Sequence, residues 1–552
     1  MGVVAEIKSA TALAVGLRSF LRERVSAAQA RDLIRQRLDR REDNFLEMAQ
    51  AAIFGVAASP YRMLLQMAGC SFADLRTSVR TRGVEATMRQ LCNEGVYVTF
   101  EEFKGRKPIV RHGKAIHTSP GDFYNPLRSA HYWVESGAST GSALRVSTDL
   151  NRVAVSASYL AVAYEAYGFA GAPKALWRGL LPASAGLNFL LACSRTGDVP
   201  ERWFTPLAGR ELMSSRKYPA ATYAILALGR MNGVALPWPE HVPPAGARAI
   251  AEWARQKVTA KGRCYISTSA SMALRACLAA RDAGIDLSGV MFSGGGEPMT
   301  DAKAKGIADA GAQCRPSYFT TEAGAIGVSC ANPADANDQH FLADSSVLIQ
   351  RRRAVPGSSQ MVDAFCVSSL LPSASCVMLN VELDDYGLME TRRCGCPFEE
   401  LGLTRHLRHI RSFRKLTGEG VTLVGSDMER VLGEILPARF GGSALDYQLL
   451  EDENEQGLTR LHLIVSPHLE IADEQTVIAT VLHSLTAQGA GADHARATWQ
   501  QTRTLDVIRR EPTWTDQGKL QPLHLSRRHH PTSAGASEDT GDAGSTSSRD
   551  TV

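Results

Sequence analysis

The chain has 552 residues, of which 44% are hydrophobic and 21% charged, and its formal net charge is +4. That length predicts two or three folded units, and so small a net charge gives no bulk attraction to nucleic acid or to an anionic membrane. No apolar run reaches the ~18 residues of a membrane span; the richest stretch, 159–193, is interrupted by Glu165, Lys174 and Arg178. Lys8, Arg18, Arg22 and Arg24 recur at helical spacing beside a short apolar part with no small-residue cleavage site, which argues against a signal peptide. Glu6 stands where a myristoylation signal would place Ser or Thr. The eleven cysteines are odd in number and mostly lie singly in apolar segments, so reduced, buried thiols and a cytoplasmic location are expected. The basic run Arg351-Arg352-Arg353 reads as a solvated loop or strand end.

In chain order, residues 1–115 read as mainly helical. Apolar residues recur at i, i+3, i+4 through 45–54 and 61–67, and 81–94 continues the pattern. Val96-Tyr97-Val98-Thr99-Phe100 predicts a switch to strand. From about 130 to 390, strand-like runs alternate with amphipathic helices. Gly289 to Phe292 predicts a strand, Asp301 to Ala310 a helix and Ala312 to Tyr318 the next strand, so a largely parallel sheet covered by helices is expected. Beyond about 410 the units shrink. A strand is predicted at 421–424, a helix at 426–436 with Ser426 as N-cap, a hairpin of 445–450 and 458–465 around a polar turn, and a final helix at 473–485. Residues 528–552 lack apolar content and read as a disordered tail.

Several motifs carry chemistry. Ser136-Gly137-Ala138-Ser139-Thr140-Gly141-Ser142 follows a strand-like run; small residues let backbone amides converge on a polyphosphate, and the hydroxyls add donors. Alone, such a stretch is more often an ordinary loop. Gly294-Gly295-Gly296-Glu297-Pro298 is a glycine turn on which a planar ring can lie against backbone, or simply a tight strand-to-helix turn. Tyr318-Phe319-Thr320-Thr321-Glu322 ends in a hydroxyl beside a carboxylate, a pairing suited to phosphate and Mg²⁺; a lone Glu322 is equally a helix N-terminal charge. Cys394-Gly395-Cys396, with Cys330 and His340, would complete a closed Cys₃His set suited to structural zinc, with Asp344 and His406 in reserve; Cys-x-Cys alone is more often coincidence. His112, His117 and His131 are expected to be solvated or core histidines, and Trp177, Trp203 and Phe204 core aromatics.

In order and spacing, these pieces resemble the adenylate-forming (ANL) superfamily, nearest to its phenylacetate–coenzyme A ligases and their capsule-biosynthesis relatives. The resemblance covers about 60–527. It implies an α/β fold: a large AMP-binding domain (1–410) with helix-covered sheets and an N-terminal helical region, then a small C-terminal α+β lid (411–527). By resemblance, Ser136, Gly137, Ser139, Thr140 and Gly141 hold the ATP phosphates, Gly295, Gly296, Glu297 and Pro298 the adenine, and Tyr318 lies in the same pocket. Thr321 bonds the α-phosphate, Glu322 binds Mg²⁺, and Asp385 and Arg411 hold the ribose, with Asp384 an alternative to Asp385. Gly420 and Glu429 follow Arg411 at the family's hinge intervals, and Lys519, in Gly518-Lys519 near the end of the lid, is the lysine of the adenylation step. Some phenylacetate ligase relatives also place a cysteine, a histidine and a Cys-x-Cys in the intervals of Cys330, His340, Cys394 and Cys396. Departures are definite. Ser142 and Ala143 replace the Pro and Lys that usually follow the phosphate loop, with Arg145 the nearest cation. Phe319 and Asp384 replace glycines, Gly425 replaces a proline, and Ser412-Phe413-Arg414 lacks the hinge aspartate.

The function implied is ATP- and magnesium-dependent activation of a small-molecule carboxylic acid to an acyl-adenylate, then transfer to a thiol, most often coenzyme A. No carrier domain follows in the chain, so a carrier-protein thiol would be a separate partner. Transfer to an amine or a protein thiol, and a scaffold that binds nucleotide without turnover, are the alternatives.

Overall fold

The computed structural model describes residues 3–128, 131–135, 145–208, 217–355, 361–412, 415–418, 421–424, 428, 430–485, 490–513 and 523–525. Two short ribbons come first, β1 (Ile109–Arg111) with β2 (Lys114–Ile116) and β3 (Tyr132–Glu135) with β4 (Arg145–Thr148). The main sheet takes β5 (Lys174–Trp177), β6 (Arg202–Thr205), β7 (Pro239–His241), β8 (Cys264–Thr268), β9 (Val290–Gly295) and β10 (Gln313–Thr320). It continues with β11 (Gly324–Ser329), β12 (Gln339–Phe341), β13 (Ser346–Ala354), β14 (Met361–Ser369), β15 (Val381–Thr391) and β16 (Arg405–Ser412). After a small hairpin of β17 (Lys415–Gly418) and β18 (Val421–Val424), the C-terminal module holds β19 (Tyr447–Glu453), β20 (Thr459–Val465), β21 (Leu505–Arg509) and β22 (Leu523–Leu525).

The main sheet has twelve strands in the order β13-β14-β15-β16-β12-β11-β10-β9-β8-β5-β6-β7. Only the half from β7 to β10 is parallel; from β10 to β13 every pair is antiparallel. The largely parallel sheet expected from helix–strand alternation is therefore half right. Beyond β10 the connections are hairpins and loops, which only antiparallel neighbours can use. The parallel strands β5 and β8 are buried at every residue because helices cover both faces. Helices Ala247–Lys261 and Ala270–Asp282 pack their apolar faces around Ile266 and Phe292. The N-terminal helices join the core of the antiparallel half.

The predicted strand 96–100 is instead a single bridge, Val98 to Val381, followed by the short helix Phe100–Phe103. Thr99 ends strand character there because its hydroxyl accepts from Glu102 N while Glu102 reaches back to its amide, a capping box. The predicted helix 81–94 is two helices, Phe72–Arg82 and Val84–Asn93, split where Gly83 takes φ +80°. Residues 45–54 begin as α-helix and pass into a π-helical turn at Ala49–Phe54.

The C-terminal module is a four-stranded sheet, β21-β20-β19-β22, with its own core of Leu449, Leu463, Val477, Trp499 and neighbours. Its hairpin matches expectation. Helix Glu474–Leu485 is not the last element, because Ala490–Thr502 and two strands follow. Residues 426 and 427 lie outside the described residues, and after them come a π-helical turn at Val431–Ile435 and the helix Leu436–Phe440. Among the described residues no helix is long and apolar enough to cross a membrane. All eleven cysteines are free thiols.

Candidate active site

Between β5 and β8 the strand order reverses: β6 and β7 run off one way, β9 and β10 the other. Ligands of open α/β sheets bind at the carboxyl ends of strands at such a point. The glycine turn lies there. β9 and β10 are parallel with Gly294 opposite Pro316 and Gly295 opposite Ser317, which sets the turn beside Tyr318. Gly296 takes φ +91°, which favours glycine, and a Cβ on Gly295 would fall 2.9 Å from the Ser317 hydroxyl, which would have to turn away.

Arg178, the residue after β5, ties three strand ends together by donating to Thr268 O, to Gly295 O (3.2 Å) and to Ser293 O (3.5 Å). Burial pushes its guanidinium down to about 10, against the pull of Glu297. The Glu297 side chain is wholly buried: it accepts from Ser271 N and Ser271 Oγ, both at 2.6 Å, and from Lys303 Nζ at 3.2 Å. Its carboxylate thus fastens the turn to helix Ala270–Asp282, and the turn presents only backbone at this position. Burial opposes ionisation of Glu297, yet Lys303 and Ser271 hold it below the usual carboxylate range.

From β10 the contacts run outward to the hinge. Tyr318 donates its hydroxyl to Asp385 Oδ2 at 2.8 Å, and β15 pairs with β16 so that Asp385 faces Ser412 and Tyr386 faces Arg411. Asp384 is buried and takes φ +59°, the left-handed backbone that glycine adopts freely and Asp tolerates. This is the position where the resemblance has glycine, and Asp385, whose carboxylate meets Tyr318, is the one that faces the other site residues. Arg411 is half-buried, and burial lowers its pKa against the opposing charges of Tyr386, Glu453, Glu451 and Asp301. The guanidinium therefore stands where body, glycine-turn helix and C-terminal module meet. The module touches the body directly: Lys303 Nζ donates to Thr459 Oγ1 at 3.0 Å, Leu458 enters the core around β8 and β9, and Gly457 lies so close to Ala302 that a Cβ would fall 2.9 Å from its carbonyl carbon.

The turn 320–324 carries Thr321 and Glu322. Arg152, buried in helix Leu150–Ala166, supports it by donating to Thr321 O (2.8 Å) and Ser375 Oγ (2.7 Å), with its guanidinium 5.7 Å from the Phe319 ring. Phe319 thus packs on the supporting arginine, and the ladder shifts register there. Glu322 is buried, and Lys104 Nζ donates to its Oε1 at 2.6 Å. A carboxylate is the right donor for a hard divalent cation, and Glu322 fits one once Lys104 has left that oxygen. A divalent ion ~4 Å from the ammonium would be repelled by about 8 kcal/mol at an effective dielectric of ~20.

Ser136, Gly137, Ser139, Thr140 and Gly141 lie outside the described residues, as do Gly420, Glu429 and Lys519. The strands flanking the loop pair as a ribbon with Glu135 opposite Arg145, and Asp149 next caps helix Leu150–Ala166. The sequence alone assigns no role to Arg178, Arg152, Lys303 or Lys104; Lys303 meets Glu297 within its own turn and helix, whereas Arg178, Arg152 and Lys104 meet groups 90 to 218 positions away. Trp177 and Trp203 are core residues as expected, donating to Val242 O and Arg178 O.

The thiol cluster lies on the antiparallel side of the sheet. Cys330 follows β11, His340 is on β12, and Cys394 and Cys396 lie in the connection from β15 to β16, with Gly395 at φ +68° between them. The four donor atoms lie within 4.8 Å of one another. His340 Nε2 is 3.0 Å from Cys396 Sγ and 3.6 Å from Cys394 Sγ, while its Nδ1 meets Leu403 O at 2.6 Å, which aims Nε2 at the thiols. Edges of a tetrahedron built on Zn–S bonds of ~2.3 Å run ~3.5–3.8 Å, so the set fits zinc. Glu399 accepts from the amides of Cys394 (2.5 Å) and Gly395 (2.6 Å) and fixes the turn. The Cys330 thiol and the His340 imidazole hold the Cys396 thiol below its usual range, favouring the thiolate. Of the reserve residues, Asp344 is elsewhere: it is wholly buried under Arg37 (2.7 Å) and Tyr159 (2.9 Å). His406 packs its ring 4.1 Å from His340 and bonds Asp338, and its ligand atom lies within 4.8 Å of those of Cys330 and Asp338, so it adjoins the cluster at Cys330.

No protein-family model and no curated protein matches the chain in sequence. Among solved structures, it is similar to 2-hydroxyisobutyryl-CoA ligase in complex with 2-HIB-AMP and CoA, with TM-score 0.51 and 13% identity, covering 92% of each chain. A weaker likeness, TM-score 0.40 and 12% identity over 88% of this chain and 92% of the other, is to the amide bond synthetase McbA from Marinactinospora thermotolerans. The chain shares the fold of that CoA ligase, a large mixed α/β domain followed by a small C-terminal one.

Proposed function

We propose that this chain uses ATP to activate a carboxylic acid as an acyl-adenylate and passes the acyl group to a thiol, coenzyme A in the first instance. The observation that carries this reading is a chain of neighbours, Gly295 opposite Ser317, Tyr318 bonded to Asp385, and the adjacent Tyr386 paired with Arg411, which joins four dispersed motifs where the C-terminal module meets the body. A carboxylate resists attack because it must expel oxide; adenylation makes AMP the leaving group. In this reading adenine lies on the backbone of Gly295, Gly296, Glu297 and Pro298, with Tyr318 orienting Asp385 toward the ribose and Arg411 completing the ribose contact at the hinge. Thr321 meets the α-phosphate, and the residues 136–141 hold the β,γ-phosphates. Magnesium, when bound, offsets phosphate charge beside Glu322. Lys519 offsets the charge developing between carboxylate and α-phosphate, and rotation of the module about 411–414 then admits the acceptor. Cys330, His340, Cys394 and Cys396 would hold a zinc, and because four protein donors would complete its set its role would be architectural. The free thiols accord with a reducing, cytoplasmic setting, and the likeness to phenylacetate–coenzyme A ligases belongs to this reading as well.

Carboxylate-dependent ATP–pyrophosphate exchange across a broad acid panel tests it. Exchange with one or more acids, lost in Lys519→Ala, is the expected result. Hydroxylamine, coenzyme A and carrier proteins offered to the same adenylate then separate thiol from amine transfer. ATP binding without exchange for any acid would replace the enzyme with a nucleotide-binding scaffold.

A further inference from the structure

Lys104 lies just past helix Phe100–Phe103, 218 positions before Glu322, yet its ammonium sits on that carboxylate at 2.6 Å with the two side chains 8% and 10% exposed. The lysine is placed by a built scaffold. Thr99 and Glu102 cap the helix, Arg111 holds Glu102 through bonds of 2.9 and 3.1 Å, and the ammonium stands 5.2 Å over the Phe100 ring. From the other side, Arg152 lies within electrostatic reach of Glu322. One carboxylate at the end of β10 thus faces two buried cations, a surplus of positive charge suited to a polyanion. The sequence after Gly141 carries Ser142 and Ala143 and no lysine, with Arg145 the nearest cation.

We propose that Lys104 is a nucleotide-phosphate-binding residue that serves as the exchangeable counter-ion of Glu322. It holds the carboxylate while no nucleotide is bound, and it turns to the phosphate oxygens of ATP when a divalent cation takes the carboxylate. The proposal rests on the adenylation reading above. Every charge stays paired through the exchange: the ammonium passes from carboxylate to phosphate, and the metal takes its place. A divalent ion arriving without nucleotide separates the buried ammonium from its carboxylate 2.6 Å away, so metal and ATP bind together or weakly.

The test uses the full chain, titration calorimetry with ATP, and electron paramagnetic resonance of Mn²⁺ as the magnesium surrogate. The wild-type chain should bind Mn²⁺ only together with ATP. Lys104→Met should bind Mn²⁺ without nucleotide, and its ATP affinity should fall roughly ten- to hundredfold, the worth of one charge-assisted hydrogen bond. Lys104→Arg should keep most of that affinity. If Lys104→Met fails to fold with its buried carboxylate uncompensated, Lys104→Met/Glu322→Gln removes both charges and should bind ATP more weakly than Glu322→Gln by the same factor. Unchanged ATP affinity on loss of Lys104, or equal nucleotide-free Mn²⁺ binding in wild type and Lys104→Met, overturns the exchange while leaving adenylation intact. A wild-type chain that binds no ATP sinks the adenylation reading and this proposal together, before any variant is made.

Discussion

Replacing Cys396 by serine should remove a metal cross-link and lower the stability of the large domain by about 4 kcal/mol. The magnitude follows from what the cluster joins. Cys330 and Cys394 lie 64 positions apart, and closing a loop of that length in the unfolded chain is worth about 4 kcal/mol in the chain-entropy treatment. Unfolding entropy of roughly 2 cal/mol/K per residue over a body of roughly 400 residues gives about 0.8 kcal/mol per kelvin, so the melting midpoint should fall by about 5 °C. Elemental analysis should find one zinc per wild-type chain and little in Cys396→Ser, and the wild type melted with a strong chelator should reproduce the shift. Cys277→Ser, a buried thiol of the parallel half, should keep its zinc. A wild type free of zinc, with a midpoint indifferent to chelator, would refute the reasoning and leave the cluster as hydrogen-bonded thiols.

Two further outcomes are expected. Arg37→Met leaves the wholly buried Asp344 with Tyr159 alone, and should cost about 3–5 kcal/mol in urea denaturation, less in Arg37→Met/Asp344→Asn; a loss under about 1 kcal/mol for the single variant contradicts this. Glu451 should make the docking of the C-terminal module pH-dependent. Burial raises it from 4.5 to about 7, with Lys303 and Arg411 opposing and Glu453 and Glu297 assisting. A raised carboxyl favours the folded state while neutral, so its contribution is whole below pH 4.5 and disappears as pH rises through 7. Melting midpoints of Glu451→Gln and wild type should coincide below pH 4.5, draw apart as pH rises to 7 and then run parallel, with Gln the more stable; a difference constant across that window refutes the assignment.

Local chemistry was legible where one short segment determines its own conformation. The strand–turn–helix at 290–308 follows from an apolar run, three glycines and the Thr300 cap, and the hairpin at 447–465 from alternation around a polar turn. Errors arose where a local device overrode the pattern. Thr99 and Glu102 turned a β-rich pentapeptide into a helix start, and Gly83 divided one helical period into two helices. Glu297 shows the same limit at the site: beside a glycine turn it reads as a ligand residue, whereas Ser271 and Lys303 bury its carboxylate.

The amino-acid sequence by itself determined which residues are small enough to turn, which carry thiol, imidazole or carboxylate, and at what intervals, because those depend on covalent identity and near neighbours. Only the tertiary structure decided their partners. Cys330 meets Cys396, Tyr318 meets Asp385 and Lys104 meets Glu322 because sheet register and helix packing bring together segments tens to hundreds of positions apart. A buried charge has to find its counter-charge in space, and no spacing along the chain encodes that choice.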